Sequence, residues 1–166
     1  MRGKWNTCAF TGHRPGKLPW GADERDIRCL ALKAKLRAAV ESAIVEGMEH
    51  FICGMAEGCD LYFAETVLEL KKLYPHITLE AAIPCPTQAD KWSDAQQRRY
   101  RSILARCDVE TVVQQEYTPG CMQRRNRYMV DHAALLIAVN NGEPGGTRNT
   151  ILYAMRQGLN IADISI

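Results

Sequence analysis

The segment from Pro144 to Thr150 combines residue types that suit the binding of an anion. Gly145 and Gly146 precede a helical pattern, for which Thr147 is the predicted N-cap. Backbone N–H groups and the helix dipole favour negative charge at a helix start, and glycines let a phosphate approach the backbone closely. Because a glycine pair is also typical of a simple tight turn, the other loops must decide between the two interpretations.

A second glycine-bearing turn, from Gly54 to Asp60, opens another helical pattern. Asp60 is predicted either to cap that helix or to hold a ribose hydroxyl group, and the sequence leaves both possibilities open. Glu57 lies between two glycines, where packing does not require a carboxylate, and this favours a ligand contact. Glu65 is a further acceptor in the helix, for which a solvated position is the simpler interpretation.

Cationic side chains follow two other apolar runs of the sequence. Arg14, in the turn 11–15, is suited to clamp a phosphate, and a plain surface position is an equally good interpretation. His13 beside it is a candidate general acid or base. The run Arg124–Arg127 falls in the first turn of a helical pattern, where the dipole disfavours cations unless an anionic ligand is present. A solvated basic face is the more common meaning of such a run.

Apolar runs and helical patterns alternate along the whole chain, and the loops described above follow the apolar runs. The runs that suit strands are 6–11, 50–53, 77–83, 109–113, 134–139 and 161–166. The helical patterns cover 23 or 24 to 46, 60–73, a segment ending at 106, 122–132 and 147–157. This alternation predicts a Rossmann-like, doubly wound α/β domain, with a mainly parallel sheet of five or six strands and helices on both faces. The ligand is expected outside the carboxyl ends of the strands, where the strand order reverses.

The first helical pattern carries two apolar stripes on nearly opposite sides. One stripe contains Leu32, Leu36, Ala39, Val40 and Ala43, and the other contains Ile27, Ala31, Ala34, Ala38 and Val45. A helix with two apolar stripes packs on two partners. One partner is the sheet, and the other is predicted to be a neighbouring helix, with a second subunit of a homodimer as the alternative.

The overall composition argues against several classes of protein. The 166 residues suit one domain spanning 1–166, and a net charge of +2 is too small to indicate duplex DNA or an anionic membrane as a partner. No apolar run approaches a membrane span and no signal peptide is present, which predicts a cytoplasmic protein. Seven cysteines without a CxxC pair, and four histidines without ligand spacing, indicate buried thiols and no metal site. The absence of GxGxxG after the first strand and of a Walker lysine motif disfavours ordinary NAD dehydrogenases and P-loop NTPases.

Four ordered motifs, spread over nearly the whole chain, resemble those of one family. They are Thr11-Gly12-His13-Arg14-Pro15, then Gly54-Met55-Ala56-x-Gly58-x-Asp60 with Ala64-Glu65, then Arg125-Asn126-Arg127-Tyr128-Met129-Val130-Asp131, then Gly145-Gly146-Thr147-x-x-Thr150 with Tyr153-Ala154. The set resembles the YpsA-like proteins of the SLOG superfamily, to which the SMF/DprA and LOG branches also belong. The resemblance implies a Rossmann-like fold and a site for a nucleotide or nucleotide-derived ligand, such as a nucleoside phosphate or an ADP-ribose-like compound, in a sensor or regulatory domain. The ligand-binding residues that it implies are Thr11, Gly12, His13, Arg14, Gly54, Met55, Ala56, Gly58, Asp60, Arg125, Asn126, Asp131, Gly145, Gly146, Thr147 and Thr150.

The related branches leave two alternatives. LOG enzymes are phosphoribohydrolases that cleave the base from a nucleoside monophosphate, and their signature resembles PGGxGTxxE with a catalytic Glu. Pro144–Thr147 match the start of that signature but the Glu is missing, and Glu57, Asp60 or Glu65 could replace it. Of these, Glu57 and Glu65 are the candidate catalytic residues of an N-glycoside hydrolase. The DprA branch handles single-stranded DNA, for which Arg98–Arg101 and Arg124–Arg127 would have to form a basic groove. The small net charge disfavours that alternative, so the expected partner is a small nucleotide rather than a nucleic acid or a membrane.

Overall fold

Six parallel strands form one sheet in the computed structural model, which describes residues 3–166. They are β1 (Thr7–Thr11), β2 (His50–Cys53), β3 (Thr78–Ile83), β4 (Val109–Val112), β5 (Leu135–Asn140) and β6 (Asn160–Ser165). Their order across the sheet is β4-β3-β2-β1-β5-β6, and every neighbouring pair is parallel. The chain first adds strands outward from β1 to β4 and then returns to the other side of β1, so the order reverses between β1 and β5. The predicted doubly wound α/β fold is therefore confirmed.

Helices cover both faces of the sheet. They are α1 (Ile27–Val45), α2 (Cys59–Lys71), α3 (Asp94–Arg106), α4 (Cys121–Asp131) and α5 (Gly146–Arg156). Buried side chains of α1, α2 and α3 join one core cluster, and those of α4 and α5 join the other. Alternate strand residues divide between the two clusters, since successive side chains point to opposite faces. Because both faces are covered, β1 is buried along its whole length.

α1 packs through only one of its two apolar stripes. Leu32, Leu36, Val40 and Ala43 are buried, whereas the other stripe is exposed at Ile27, Ala31, Ala34, Ala38 and Val45. Within residues 3–166 no neighbouring helix covers that second stripe, so the prediction of a helix there is wrong, and a homodimer stays a prediction. α1 also begins later than predicted, because Asp26 caps it by accepting a hydrogen bond from the Arg28 backbone N–H at 2.8 Å.

The cysteines behave as small core residues. All seven are free thiols, and every one except Cys107 is buried. Cys59 stands at the start of α2, where a helix dipole favours a thiolate, but burial raises the pKa of its thiol to about 12. The thiol is therefore protonated at neutral pH. Among residues 3–166, no helix is both long enough and apolar enough to cross a membrane.

Candidate functional site

A cavity of about 310 Å³ lies at the carboxyl ends of β1 and β5, where the strand order reverses. This is the place at which doubly wound sheets bind their ligands. Its walls come from β1 and the loop after it, the loop after β2, α2, α4 and the first turn of α5. The lining residues are Phe10, Thr11, Gly12, His13, Arg14, Gly16, Lys17, Ala56, Asp60, Met122, Arg125, Asn126, Met129, Gly146 and Thr147.

The first turn of α5 presents backbone donors to this cavity. Gly145 is the N-cap and no side chain caps the helix, so Thr147 lies inside the first turn and the prediction of Thr147 as N-cap is wrong. The backbone of Gly145 has a φ of +149°, which a residue with a side chain rarely adopts. A Cβ atom placed on Gly146 would meet no atom within 4 Å. Packing therefore does not require this glycine, and the missing side chain leaves space in front of free helix N–H groups.

Arg125 is a buried cation in the cavity wall, only 4% exposed. Its Nη1 donates to the carbonyl oxygens of Gly54 and Ala82, and its Nε donates to Asn126 Oδ1 at 2.8 Å. No carboxylate oxygen of the described residues lies within 4 Å of the guanidinium. Burial lowers the pKa of Arg125, and the more distant Asp60 carboxylate opposes that effect. A buried charge without an ion-pair partner is costly, and an anionic ligand would remove that cost.

The two arginine runs do not form one solvated basic surface. Arg124 and Arg127 are exposed, as a basic face would be, but Arg125 between them is buried. Arg99, in the run 98–101, donates to Glu24 at 2.6 Å and to Glu65 at 2.5 Å. One arginine of each run is therefore used inside the protein, which removes it from any groove for a nucleic-acid strand.

The loop after β2 is shaped by two glycines and a strained residue. A Cβ atom on Gly54 would lie 2.6 Å from the Cζ atom of Arg125, and one on Gly58 would lie 2.8 Å from the His13 carbonyl oxygen. Met55 has a φ of 60°, which is uncommon for a residue with a side chain, and its side chain is fully buried. All three are predicted ligand contacts, but none lines the cavity. They give the loop the shape that lets Arg125 and His13 approach.

Asp60 is the carboxylate that the described chain places in the cavity wall, and it is 7% exposed. It does not cap α2, whose N-cap is Gly58; instead its Oδ2 accepts a hydrogen bond from the Ala56 backbone N–H at 3.0 Å. Burial raises the pKa of Asp60, while Arg125 and the Ala56 N–H act to lower it. The remaining carboxylate oxygen is available to accept hydrogen bonds from a ligand, as a ribose diol would offer.

His13 and Lys17 connect the loops around the cavity. The Asn141 backbone N–H donates to His13 Nε2 at 3.2 Å, and the Cys59 N–H donates to the His13 carbonyl oxygen at 3.1 Å. Burial, helped by the nearby Lys17 charge, lowers the pKa of His13, which favours the neutral ring that accepts this bond. Lys17 Nζ donates to the Pro144 carbonyl oxygen at 3.3 Å. The two side chains thereby hold the loop after β5 against the loop after β1.

Glu57 and Glu65, the candidate catalytic carboxylates, do not line the cavity. Glu65 accepts hydrogen bonds from Arg99 and lies in a separate surface depression beside Tyr62 and Lys33. Glu57 lines a second pocket that adjoins the cavity. Within residues 3–166 the Glu57 carboxylate makes no hydrogen bond or ion pair. The structure therefore leaves Glu57 near the site and places Glu65 away from it.

Two other predicted ligand contacts have structural partners instead. Asp131 accepts a hydrogen bond from the Tyr153 hydroxyl group at 2.7 Å, which ties α4 to α5. Thr150 is buried, and its Oγ1 donates to the Gly146 carbonyl oxygen at 2.8 Å. Both residues support the elements that carry the cavity without lining it.

Five lining residues were missed from the sequence, namely Phe10, Gly16, Lys17, Met122 and Met129. Met122 and Met129 lie three residues before and four residues after Arg125, so they share its helix face. That spacing is a signal from which both methionines could have been found. Gly16 and Lys17 lie in a short 3₁₀ turn (Pro15–Lys17). The Pro15-Gly16 pair indicates a turn there, but nothing in the local sequence indicates that this turn lines the cavity.

Comparison with known proteins finds a family whose model covers nearly the whole chain. The model of the YspA SLOG family matches residues 8–165. The uncharacterized SPbeta prophage-derived protein YoqJ of Bacillus subtilis (strain 168) is 36% identical over 140 residues, which cover 76% of this chain and 82% of that protein. A UPF0398 protein of Bacillus pumilus (strain SAFR-032) is 29% identical over 161 residues, covering 95% of this chain and 84% of the relative.

Among solved structures, DNA processing protein A (DprA) from Streptococcus pneumoniae has the same fold. The TM-score is 0.59 at 18% sequence identity, and the match covers 95% of this chain and 50% of the DprA chain. The likeness to DprA concerns the fold alone. The family match spans nearly the whole sequence and includes all four motifs, so the chain belongs to the YspA SLOG family.

Proposed function

We propose that the cavity binds a nucleotide or a nucleotide-derived ligand, such as a nucleoside phosphate or an ADP-ribose-like compound, and that the protein acts as a sensor or regulatory domain. The observation that carries this proposal is the buried guanidinium of Arg125, which has no carboxylate partner in the described chain and faces the same cavity as the uncapped start of α5. Membership in the SLOG family supports a nucleotide-related ligand.

The phosphate is assigned to the first turn of α5. Gly146 and Thr147 offer backbone N–H groups there, and the open space at Gly146 admits an anion. Arg14 and Lys17 line the same cavity and add positive charge. Each charge-assisted hydrogen bond of this kind contributes roughly 1.5–3 kcal/mol.

The sugar is assigned to the Asp60 side of the cavity. An anionic group beside Asp60 itself would be repelled, whereas hydroxyl groups would donate to its free oxygen. A ligand that is anionic at one end and rich in hydroxyl groups next to it is therefore favoured, and a nucleotide has this arrangement. A cavity of about 310 Å³ also suits one small molecule better than a strand of nucleic acid.

The alternative of an N-glycoside hydrolase has weaker support. Such an enzyme needs carboxylates beside the glycosidic bond, and of the two candidates Glu65 is engaged by Arg99 while Glu57 lies in the adjoining pocket. Asp60 is in the cavity, but it is a single carboxylate. Binding without turnover is the proposal that fits these positions better.

Calorimetric titration with nucleoside monophosphates and ADP-ribose tests the proposal. We expect saturable binding to the wild-type protein and its loss in Gly146→Glu, because the new carboxylate occupies the phosphate position. Gly120→Glu is the matched control, since Gly120 also stands at a helix start with open space but outside the cavity. Failure of every compound to bind at millimolar concentration, or equal binding by Gly146→Glu, would refute the proposal. Chromatography of the same mixtures reports free base, and its release would instead favour the hydrolase.

A further inference from the structure

A second pocket, of about 200 Å³, adjoins the cavity and shares Arg14 and Met122 with it. We name it the side pocket; its lining residues are Arg14, Pro15, Glu57, Gln88, Trp92 and Met122. We propose that the side pocket takes the heteroaromatic base of the bound nucleotide, and that Glu57 selects a guanine-type base. This inference rests on the proposed function, because it assumes a nucleotide in the neighbouring cavity.

The apolar walls of the side pocket suit a flat ring. Pro15, Trp92 and Met122 offer a pyrrolidine ring, an indole and a thioether. Trp92 is partly exposed, and its indole packs edge-to-face on buried Tyr100, with ring centroids 5.2 Å apart and planes at 81°. The indole is therefore fixed in orientation while part of it remains accessible. Stacking of a base on such an aromatic side chain is worth roughly 1–3 kcal/mol and accepts any base.

The side chains of Gln88 and Glu57 in the side pocket differ in whether their hydrogen-bonding atoms remain available to a ligand. The Gln88 amide is held from both ends, because its Nε2 donates to the Gly54 carbonyl oxygen at 3.2 Å and its Oε1 lies 3.4 Å from Arg125 Nη1. Glu57, in contrast, has no partner within residues 3–166. The Glu57 carboxylate is therefore a hydrogen-bond acceptor that a ligand can use, and Arg14 is the other charged side chain of the lining.

The carboxylate of Glu57 distinguishes between purine bases. When ionised it only accepts hydrogen bonds, and its two oxygens match two adjacent N–H donors. Guanine presents such a pair, N1–H and the exocyclic amino group, on one edge. Adenine presents a single amino group beside a ring nitrogen that is itself an acceptor, so the carboxylate would face a lone pair. Glu57 would thus select guanine over adenine, whereas Trp92 would stack on either base.

Calorimetry with ribose 5-phosphate, AMP and GMP tests the side pocket separately from the cavity. We expect ribose 5-phosphate to bind, and GMP to bind at least about tenfold more tightly than ribose 5-phosphate or AMP, as one good bidentate contact and a stacked ring imply. Glu57→Gln should abolish the preference for GMP over AMP. Trp92→Leu should weaken both nucleotides about tenfold. Neither variant should change the affinity for ribose 5-phosphate, and that unchanged value also shows that each variant is folded.

The possible results distinguish a failure of the base site from a failure of the phosphate site. If ribose 5-phosphate binds and GMP binds no more tightly, the side pocket is not a base site, although the phosphate site stands. A preference for AMP, or a preference for GMP that persists in Glu57→Gln, would overturn the assignment of Glu57. If none of the three compounds binds, the proposed function fails and this inference fails with it. Trp5→Leu is the control for removing a tryptophan, because Trp5 is 83% exposed and lines neither pocket.

Discussion

The cavity and a polar cluster near the amino ends of β2 and β3 both contain buried charged groups, but in the described chain only the carboxylate of the cluster has both oxygens hydrogen-bonded. We name the second region the His50 cluster; it contains His50, Thr78, Glu80, Thr111 and Tyr128. His50 Nε2 lies 2.7 Å from Glu80 Oε1, and His50 Nδ1 lies 2.6 Å from Thr78 Oγ1. Glu80 Oε2 accepts from the Tyr128 hydroxyl group at 2.6 Å and from Thr111 Oγ1 at 2.8 Å. Both carboxylate oxygens of Glu80 are thus paired within the protein.

The buried carboxyl groups of the two regions show the difference directly. Burial acts to raise the pKa of each. For Glu80, hydrogen bonds from His50, Tyr128 and Thr111 outweigh burial and lower the pKa to about 2. The pKa of Asp60, in contrast, is raised, because the lowering effects of Arg125 and the Ala56 N–H do not offset the effect of burial. A buried charge with all its partners is typical of structural stability, whereas one without them is typical of a binding site.

The largest effect on stability is expected from removing the centre of the His50 cluster. Glu80→Ala should lower the free energy of unfolding by about 3–5 kcal/mol, because it removes the carboxylate partner of buried His50 and an acceptor of the Tyr128 and Thr111 hydroxyl groups. Urea denaturation measures this loss, and calorimetry should find nucleotide affinity unchanged. If Glu80→Ala kept its stability but lost nucleotide binding, the His50 cluster would belong to the binding site and not to the structural core.

Replacement of Arg125 should affect ligand binding more than stability, the reverse of what we expect for Glu80. Arg125→Met should weaken nucleotide binding by roughly tenfold to a hundredfold, because this is the loss of affinity expected when hydrogen bonds to a charged group are removed. Its stability should change less than that of Glu80→Ala, since the cation has no carboxylate within 4 Å in the described chain and methionine retains an unbranched apolar stem. Arg124→Met, at the exposed neighbouring position, is the matched control and should change neither quantity. Full affinity in Arg125→Met would remove the main support for an anion site.

The smallest effect is expected from pH, because titration changes a charge without deleting a contact. The pKa of Glu80 is lowered in the folded protein, so its stabilisation is complete above the unfolded value of 4.5 and is lost as the pH falls toward about 2. At about pH 4 the loss should be on the order of 1 kcal/mol relative to neutral pH.

Asp60 has the opposite sign, since a raised pKa makes folding less favourable as the pH rises from 3.8 through the folded value. Urea denaturation as a function of pH measures both effects on the free energy of unfolding. The loss of stability at acid pH that Glu80 causes should be absent in Glu80→Gln, and the opposite change that Asp60 causes should be absent in Asp60→Asn. Unchanged pH profiles in both variants would contradict these assignments.

The features that could be predicted from the sequence are those that depend on local pattern. Buried apolar runs alternating with helical patterns determine the doubly wound sheet, and the topology of such a sheet brings the loops at 11–14, 54–60 and 145–147 to one edge. The burial of Arg125 was also encoded, because Cys121, Arg125 and Met129 recur at the spacing of one helix face. It was missed because the neighbouring arginines dominate the composition of that segment.

The remaining features depend on contacts between distant residues or on backbone angles. Lys17 reaches Pro144 across 127 positions, and no local pattern marks either partner. Glu65 is held away from the cavity by Arg99, which is a tertiary contact. The identity of the α5 cap depends on the backbone of Gly145, whose φ of +149° lets the helix begin before Thr147.

The most direct test of nucleotide binding in the cavity is a crystal structure determined with GMP or ribose 5-phosphate. We expect electron density for a phosphate against the backbone N–H groups of Gly146 and Thr147, with the sugar beside Asp60 and the guanidinium of Arg125 facing the ligand. A ligand bound outside the cavity, or an empty cavity at saturating concentration, would contradict this expectation.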